Sequence, residues 1–126
     1  MNNKPQLKRT NLIRKHLASY QYAIRGIRLA FRSEHNMIVH SAAALIVILV
    51  NTVLGVTKTE WLITLMLIGL AWTAEIFNTA IEKLADRVTK EQDPLIAQAK
   101  DLASGAVLVI CAFAVLCAII IYLPYL

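Results

Sequence analysis

The sequence predicts an all-α integral membrane protein, with an N-terminal amphipathic surface helix followed by three transmembrane helices. The first observation is that the hydrophobic residues, 58% of the 126, concentrate in three long runs instead of spreading through the chain. The second is the position of the lysines and arginines: eight of the thirteen precede Met37, and four lie between the second and third runs. The length suits a single domain covering residues 1–126.

The N-terminal surface helix is predicted over residues 8–32. Apolar side chains recur there at alternating spacings of four and three, which places them on one helical stripe: Ile13, Leu17, Tyr20, Ile24, Ile27 and Phe31. Arg25, Arg28 and Arg32 form a separate basic row. A basic amphipathic helix typically lies flat on an anionic membrane surface. The alternative is a soluble helix packed on a partner, but the adjoining apolar runs favour the membrane surface.

The three spans are predicted over residues 35–55, 60–86 and 95–123. The turn between the first two is short, so these spans should be antiparallel neighbours. Thr59 suits the N-cap of the second span, because a threonine hydroxyl can accept hydrogen bonds from backbone N–H groups at a helix start. Pro94 suits the first turn of the third helix.

The distribution of positive charge predicts the orientation in the membrane. Cytoplasmic segments of membrane proteins carry an excess of lysine and arginine, so the N-terminus and residues 83–100 are expected in the cytoplasm. Lys58 alone lies between spans one and two. The net charge of +5 could also suit a nucleic-acid-binding protein, but such a protein needs a soluble basic face and has no use for three apolar runs. No nucleic-acid partner is therefore predicted.

The second span carries polar residues where a membrane helix should have few. Glu75, Asn78, Glu82 and Asp86 are spaced by three, four and four residues, so they share one helical face. A carboxylate within hydrocarbon costs at least ~2.5 kcal/mol, which marks such a row as a candidate functional site.

The predicted topology brings several polar groups to one depth, at the cytoplasmic interface: Glu34, Glu82, Asp86, Lys100 and Asp101. Glu75 lies about two helical turns deeper. Mg²⁺ is usually bound by one or two carboxylates together with substrate phosphates, a role that Glu34 and Glu82 fit. Phosphoryl transfer also needs a cation on the phosphates and a base for the attacking hydroxyl, roles that Lys100 and Glu75 fit.

The same residues allow other interpretations. Lys100 and Asp101 could form an interfacial ion pair, and Glu82 and Asp86 could be a solvated helix end. An intramembrane Glu75 could also serve an ion or proton pathway, as in a small proton-coupled transporter. The chain holds four glycines at scattered positions, so it contains neither a P-loop nor a G-x-G-x-x-G motif. Any nucleotide site must be of a different kind.

The polar motif itself resembles a known family. The sequence Glu75-x-x-Asn-Thr-Ala-Ile-Glu82-x-x-x-Asp86, followed by Ala99-Lys-Asp101-x-x-x-Gly-Ala-Val107, is similar to the prokaryotic diacylglycerol kinases, which are small integral-membrane lipid kinases. Within that family, Glu34-His-Asn followed by His40, together with Glu60-Trp61 and Gly105, resembles the undecaprenol kinase branch. Ser104 resembles the diacylglycerol kinase branch.

The resemblance implies an ATP- and Mg²⁺-dependent kinase in the bacterial inner (plasma) membrane, assembled as a homotrimer with active sites shared between subunits. It implies transfer of the γ-phosphoryl group to a lipid alcohol, undecaprenol or, as the alternative, diacylglycerol. It implies a catalytic base at Glu75 and a metal held at Glu34 and Glu82. Nucleotide contacts are implied at Lys15, Tyr22, Glu34, Glu82, Glu91, Gln92, Asp93, Lys100 and Asp101. Lipid contacts are implied at Lys15, Glu75 and Ser104, with Asn78 and Asp86 supporting the site.

Overall fold

The computed structural model describes residues 4–33, 35–89 and 93–126. Within these ranges the chain is helical and contains no strand, which confirms the all-α prediction. The elements are α1 (Lys4–Ser33), α2 (His35–Leu54), α3 (Lys58–Val88), α4 (Pro94–Tyr122) and a 3₁₀ turn (Leu123–Tyr125). Helices α2, α3 and α4 are each long and apolar enough to cross a membrane, as the three apolar runs predicted.

Helix α1 forms one of two compact units in the chain, and α2 to α4 form the other. It has 30 residues, about 45 Å of helix, and begins four residues earlier than the sequence predicted. Leu17, Tyr20 and Ile24 of the predicted apolar stripe are exposed. The guanidinium of Arg25 lies 6.0 Å from the ring centroid of Tyr22, within the range of a cation–π contact.

Two local features form the turn between α2 and α3, a glycine with positive φ and a helix capping box. Gly55 adopts a φ of +63°, a conformation that glycine reaches without steric cost. Thr57 then caps α3 in a capping box, in which Glu60 N–H donates to the Thr57 hydroxyl at 3.4 Å and Thr57 N–H donates to Glu60 Oε2 at 2.7 Å. The prediction that Thr59 caps this helix was wrong, because Thr59 lies inside its first turn.

The prediction that Pro94 lies in the first turn of the third span is confirmed. Pro94 occupies the first turn, where its missing N–H costs no helical hydrogen bond. Asp93 is the N-cap, and its Oδ1 accepts hydrogen bonds from the backbone N–H groups of Leu95 at 2.8 Å and Ile96 at 3.2 Å.

A buried polar cluster joins the three spans at the end where α2 turns into α3. The Asn51 amide donates to Thr64 Oγ1 at 2.7 Å, and the Tyr122 hydroxyl donates to Asn51 Oδ1 at 2.7 Å. The Tyr125 hydroxyl donates to Glu60 Oε2 at 2.8 Å, so the 3₁₀ turn is also tied to the start of α3. Such bonds between membrane helices contribute on average ~0.6 kcal/mol each. The cluster fixes how α2, α3 and α4 are aligned along their axes.

Candidate active site

The polar face of α3 runs from a buried position to an exposed one. Glu75 is 1% exposed and Asn78 is 6% exposed, whereas Glu82 is partly exposed and the Asp86 side chain is 72% exposed. Counted from Lys58 at ~1.5 Å per residue, Glu75 lies about 26 Å along the helix and Glu82 about 36 Å. The hydrocarbon core of a bilayer is ~30 Å thick. A helix that enters at Lys58 therefore holds Glu75 near the far edge of the hydrocarbon and Glu82 in the interface.

Asn78 connects this face to α4. Its Nδ2 donates to Glu82 Oε1 at 3.2 Å, and its Oδ1 accepts a bond from the Ser104 hydroxyl at 3.4 Å. The structure thus brings together three of the predicted site residues, two from α3 and one from α4. Because one amide is held from both sides, it fixes the orientation of the Glu82 carboxylate.

Lys100 reaches the exposed end of the same face. Its Nζ lies 3.1 Å from Asp86 Oδ1, so its partner is a carboxylate on α3 and not the neighbouring Asp101 considered from the sequence. Both side chains are well exposed, and pairs of this kind are worth ~0–1 kcal/mol. The ammonium group can therefore exchange this carboxylate for a phosphate at little cost.

Two buried oxygens on α3 have no hydrogen-bond partner among the described residues: Glu75 Oε2 and Thr79 Oγ1. Glu75 was predicted from the sequence as a site residue, but Thr79, which is 4% exposed, was not. The sequence spacing could have identified Thr79, because it follows Glu75 by four residues and is therefore its neighbour on the helix surface. A buried polar group without a partner costs about 1–3 kcal/mol, so both oxygens need an explanation.

The described residues fit an Mg²⁺ ion that is bound together with phosphates. They contain no group of three or more His, Cys, Asp or Glu side chains arranged to hold a metal. Mg²⁺ bound with a nucleotide needs only one or two protein carboxylates. Glu82 supplies one, oriented by Asn78 and half-buried at the depth of the interface. Its predicted companion, Glu34, lies outside the described residues, as do Glu91 and Gln92.

Asp101 lies away from the face that α4 presents to α3. It lines an open groove of about 600 Å³ whose other walls also come from α4 alone: Gln98, Leu102, Gly105, Ala106 and Val109. Successive helical residues point ~100° apart, so Asp101 diverges from Lys100, which reaches Asp86. Asp93, predicted to contact nucleotide, caps α4.

Lys15 and Tyr22, also predicted to contact nucleotide, belong to α1. Both side chains are exposed. They are seven residues apart, two helical turns, and therefore lie on one side of that helix.

Comparison with known proteins agrees with the motif on α3. The family model for prokaryotic diacylglycerol kinase matches residues 21–122. An undecaprenol kinase from Bacillus subtilis is 36% identical over 114 residues, covering 90% of this chain and 93% of that protein. Diacylglycerol kinases from Haemophilus influenzae and Escherichia coli K12 are 31% and 30% identical, covering 72% and 75% of this chain and 77% and 78% of theirs. The chain belongs to the prokaryotic diacylglycerol kinase family and is a membrane lipid kinase.

Proposed function

We propose that this protein transfers the γ-phosphoryl group of ATP to the hydroxyl of a membrane lipid alcohol, and that the alcohol is undecaprenol. The observation that carries the proposal is the α3 face itself, on which a buried carboxylate with an unpartnered oxygen leads to half-buried and exposed charged groups. Family membership favours phosphoryl transfer over the proton pathway that an isolated Glu75 would also allow. The undecaprenol kinase relative supports the choice of acceptor, and diacylglycerol is the alternative.

The proposed roles follow from depth and charge. Glu75 lies where a lipid hydroxyl would sit, and accepts its proton as the lipid oxygen attacks the γ-phosphorus. The new bond joins the lipid oxygen to phosphorus, the bond from phosphorus to the β–γ bridging oxygen breaks, and ADP leaves. Glu82, with Glu34, would hold Mg²⁺, which neutralises charge on the phosphates when bound.

The other predicted site residues act around this centre. Lys100 would leave Asp86 to bind phosphate, and Ser104 would hold Asn78 in place beside the lipid. We also assign Lys15, Tyr22, Asp101 and the loop at 91–93 to the nucleotide. Lys15 would bind phosphate as a point charge, without the two-pronged geometry of an arginine.

The proposal includes an orientation and an assembly. The N-terminus and the segment between α3 and α4 would face the cytoplasm, where ATP is available, and α1 would lie on the membrane surface with its basic row on anionic lipid. The protein would be a homotrimer. A small part of each span is buried within the chain, and three spans offer too few walls for a nucleotide, a metal and a lipid. Sites shared between subunits would supply the missing walls.

The acceptor assay tests the function directly. The purified protein, in mixed micelles with Mg²⁺ and ATP, is expected to consume ATP only when a lipid alcohol is added, and to have a higher kcat/KM for undecaprenol than for diacylglycerol at equal mole fraction. The measurement is phosphate recovered in the lipid fraction. A higher kcat/KM for diacylglycerol would transfer the assignment to the alternative acceptor. Phosphorylation of neither lipid would contradict the kinase proposal for this chain.

Glu82→Gln is expected to raise the Mg²⁺ concentration needed for half-maximal activity. Loss of a residue that only orients a metal ligand costs 10–100-fold in metal affinity, so loss of the ligand itself should cost at least ~10-fold. The measurement is a Mg²⁺ titration at saturating ATP. Glu60→Gln is the matched control, because it makes the same change at the other end of the same helix, where Glu60 bonds Thr57 and Tyr125. Superimposable titrations for Glu82→Gln and wild type would assign Glu82 a structural role.

A further inference from the structure

The hydroxyl of Thr79 is a buried group that the proposed roles do not use. It is 4% exposed and its Oγ1 has no hydrogen-bond partner among the described residues. Two other threonine hydroxyls of α3 bond the helix backbone: Thr64 donates to the carbonyl of Glu60 at 3.0 Å, and Thr73 donates to Gly69 O at 2.8 Å. A threonine inside a helix usually bonds in this way to the carbonyl four residues earlier. Thr79 departs from that pattern beside Glu75.

The two unpartnered groups are complementary to a single alcohol. Glu75 Oε2 needs a donor and the Thr79 hydroxyl can donate. An alcohol oxygen offers one O–H to donate and lone pairs that accept. A lipid hydroxyl placed between them would donate to the Glu75 carboxylate and accept from Thr79, which satisfies both orphaned oxygens at once.

The spacing along the helix permits this bridge. Residues four apart on a helix have Cβ atoms about 5–6 Å apart. Two O–H···O bonds of about 2.7 Å each that meet at one oxygen place their outer oxygens about 4.5 Å apart. The two side chains are therefore close enough on the helix surface for one oxygen to bond both.

We propose that Thr79 binds the hydroxyl of the lipid acceptor, donating a hydrogen bond to the oxygen that attacks ATP while Glu75 accepts its proton. This inference rests on the proposed function as a lipid alcohol kinase. It adds a residue that fixes the direction of the attacking oxygen, and it identifies the substrate group at this depth as an unmodified hydroxyl. The pair lies at the buried end of the polar face, which becomes exposed towards Asp86, where we propose that the phosphates bind.

The test compares Thr79→Val, which keeps the shape and removes the hydroxyl, with Thr79→Ser, which keeps the hydroxyl. We expect Thr79→Val to lower kcat/KM for the lipid alcohol by about 10–100-fold, the equivalent of one lost bond in a buried site, with the KM for ATP unchanged. Thr79→Ser should recover most of this loss. Thr73→Val is the matched control, since Thr73 lies on the same helix but is exposed and bonds the backbone; its lipid kinetics should equal those of wild type.

Thermal stability separates the proposed role from a structural role, because the two predict opposite changes in the melting temperature of Thr79→Val. Removing a buried hydroxyl that has no partner should leave the melting temperature without lipid unchanged or raise it. Adding lipid alcohol without ATP should raise the melting temperature of wild type and Thr79→Ser, and raise that of Thr79→Val much less. A lower melting temperature for Thr79→Val without lipid would overturn the inference, because Thr79 would then be a packing residue with a protein partner.

The kinetic outcomes separate the two proposals. If wild type phosphorylates a lipid alcohol and Thr79→Val does so with the same kcat/KM, the Thr79 assignment is wrong while the kinase proposal stands. If wild type phosphorylates no lipid alcohol, the kinase proposal itself is wrong and the Thr79 inference is overturned with it. A loss of kcat/KM that Thr79→Ser fails to recover would also contradict the assignment, because the hydroxyl would not be the group that matters.

Discussion

Glu75→Gln is expected to lower turnover by at least ~100-fold while leaving ATP binding intact, because general base catalysis contributes about 10²–10⁴-fold. Glutamine keeps the size of the side chain and can still accept a hydrogen bond from the lipid hydroxyl, but it cannot take the proton. The Glu75 side chain is 1% exposed, so water has little access to replace it as the base. The measurement is kcat with saturating lipid and ATP.

The controls for Glu75→Gln separate chemistry from folding. Glu60→Gln makes the same substitution 15 positions earlier on α3, where the side chain caps the helix and bonds Tyr125; it should retain normal turnover. The oligomeric state and the affinity for ATP of Glu75→Gln should match wild type. Near-normal turnover in a correctly assembled Glu75→Gln protein would show that another group, or the phosphate itself, accepts the proton.

Much of this candidate site could be predicted from the spacing of polar residues in the sequence. The three-, four- and four-residue steps from Glu75 to Asp86 placed four polar side chains on one helical face, and α3 carries them as one continuous helix. The N-cap of α3 could also have been read correctly, because Thr57-x-x-Glu60 is a capping-box pattern. Thr59 was chosen from residue type alone, without its companion three residues later.

Contacts between helices could not be predicted from residue spacing. Lys100 and Asp101 are neighbours in sequence, yet Lys100 pairs with Asp86, which lies 14 residues away on another helix. The Asn51–Tyr122 bond joins residues 71 apart. Each contact depends on how far one helix is shifted and rotated against another, which a sequence period does not specify. Thr79 was missed for a related reason: its lack of a partner emerges only once every neighbouring group has a position.

The position of Asp101, on a side of α4 that does not face α3, predicts that two inactive variants regain activity when they assemble together. Asn78, on the same face of α3 as Glu75 and Glu82, bonds Ser104 of α4, whereas Asp101 lines a groove formed by α4 alone. If Asp101 binds the same nucleotide that reacts at Glu75, the simplest geometry takes Asp101 from one subunit and Glu75 from the next. We therefore expect Glu75→Gln chains and Asp101→Asn chains, each almost inactive alone, to regain activity when they assemble together.

The size of the recovery is set by symmetry. In a ring with head-to-tail interfaces, a shared site works only where an intact Glu75 faces an intact Asp101, so a random 1:1 mixture should recover about one quarter of wild-type activity. A second mixture provides the control: wild type with the double variant Glu75→Gln/Asp101→Asn. Shared sites leave about one quarter of full activity in that mixture, whereas sites within one chain leave about one half.

These two mixtures decide the question only if subunits exchange, so they should be unfolded and refolded together and their mixed assembly verified with two affinity tags. An inactive first mixture and half-maximal activity in the second would place Glu75 and Asp101 in one chain. That result would require Asp101 to reach around α4 towards Glu82, and it would leave the α4 groove outside the reaction. Recovery of one quarter in both mixtures would mean that the polar face of α3 becomes a complete kinase site only against the outer face of another copy's α4.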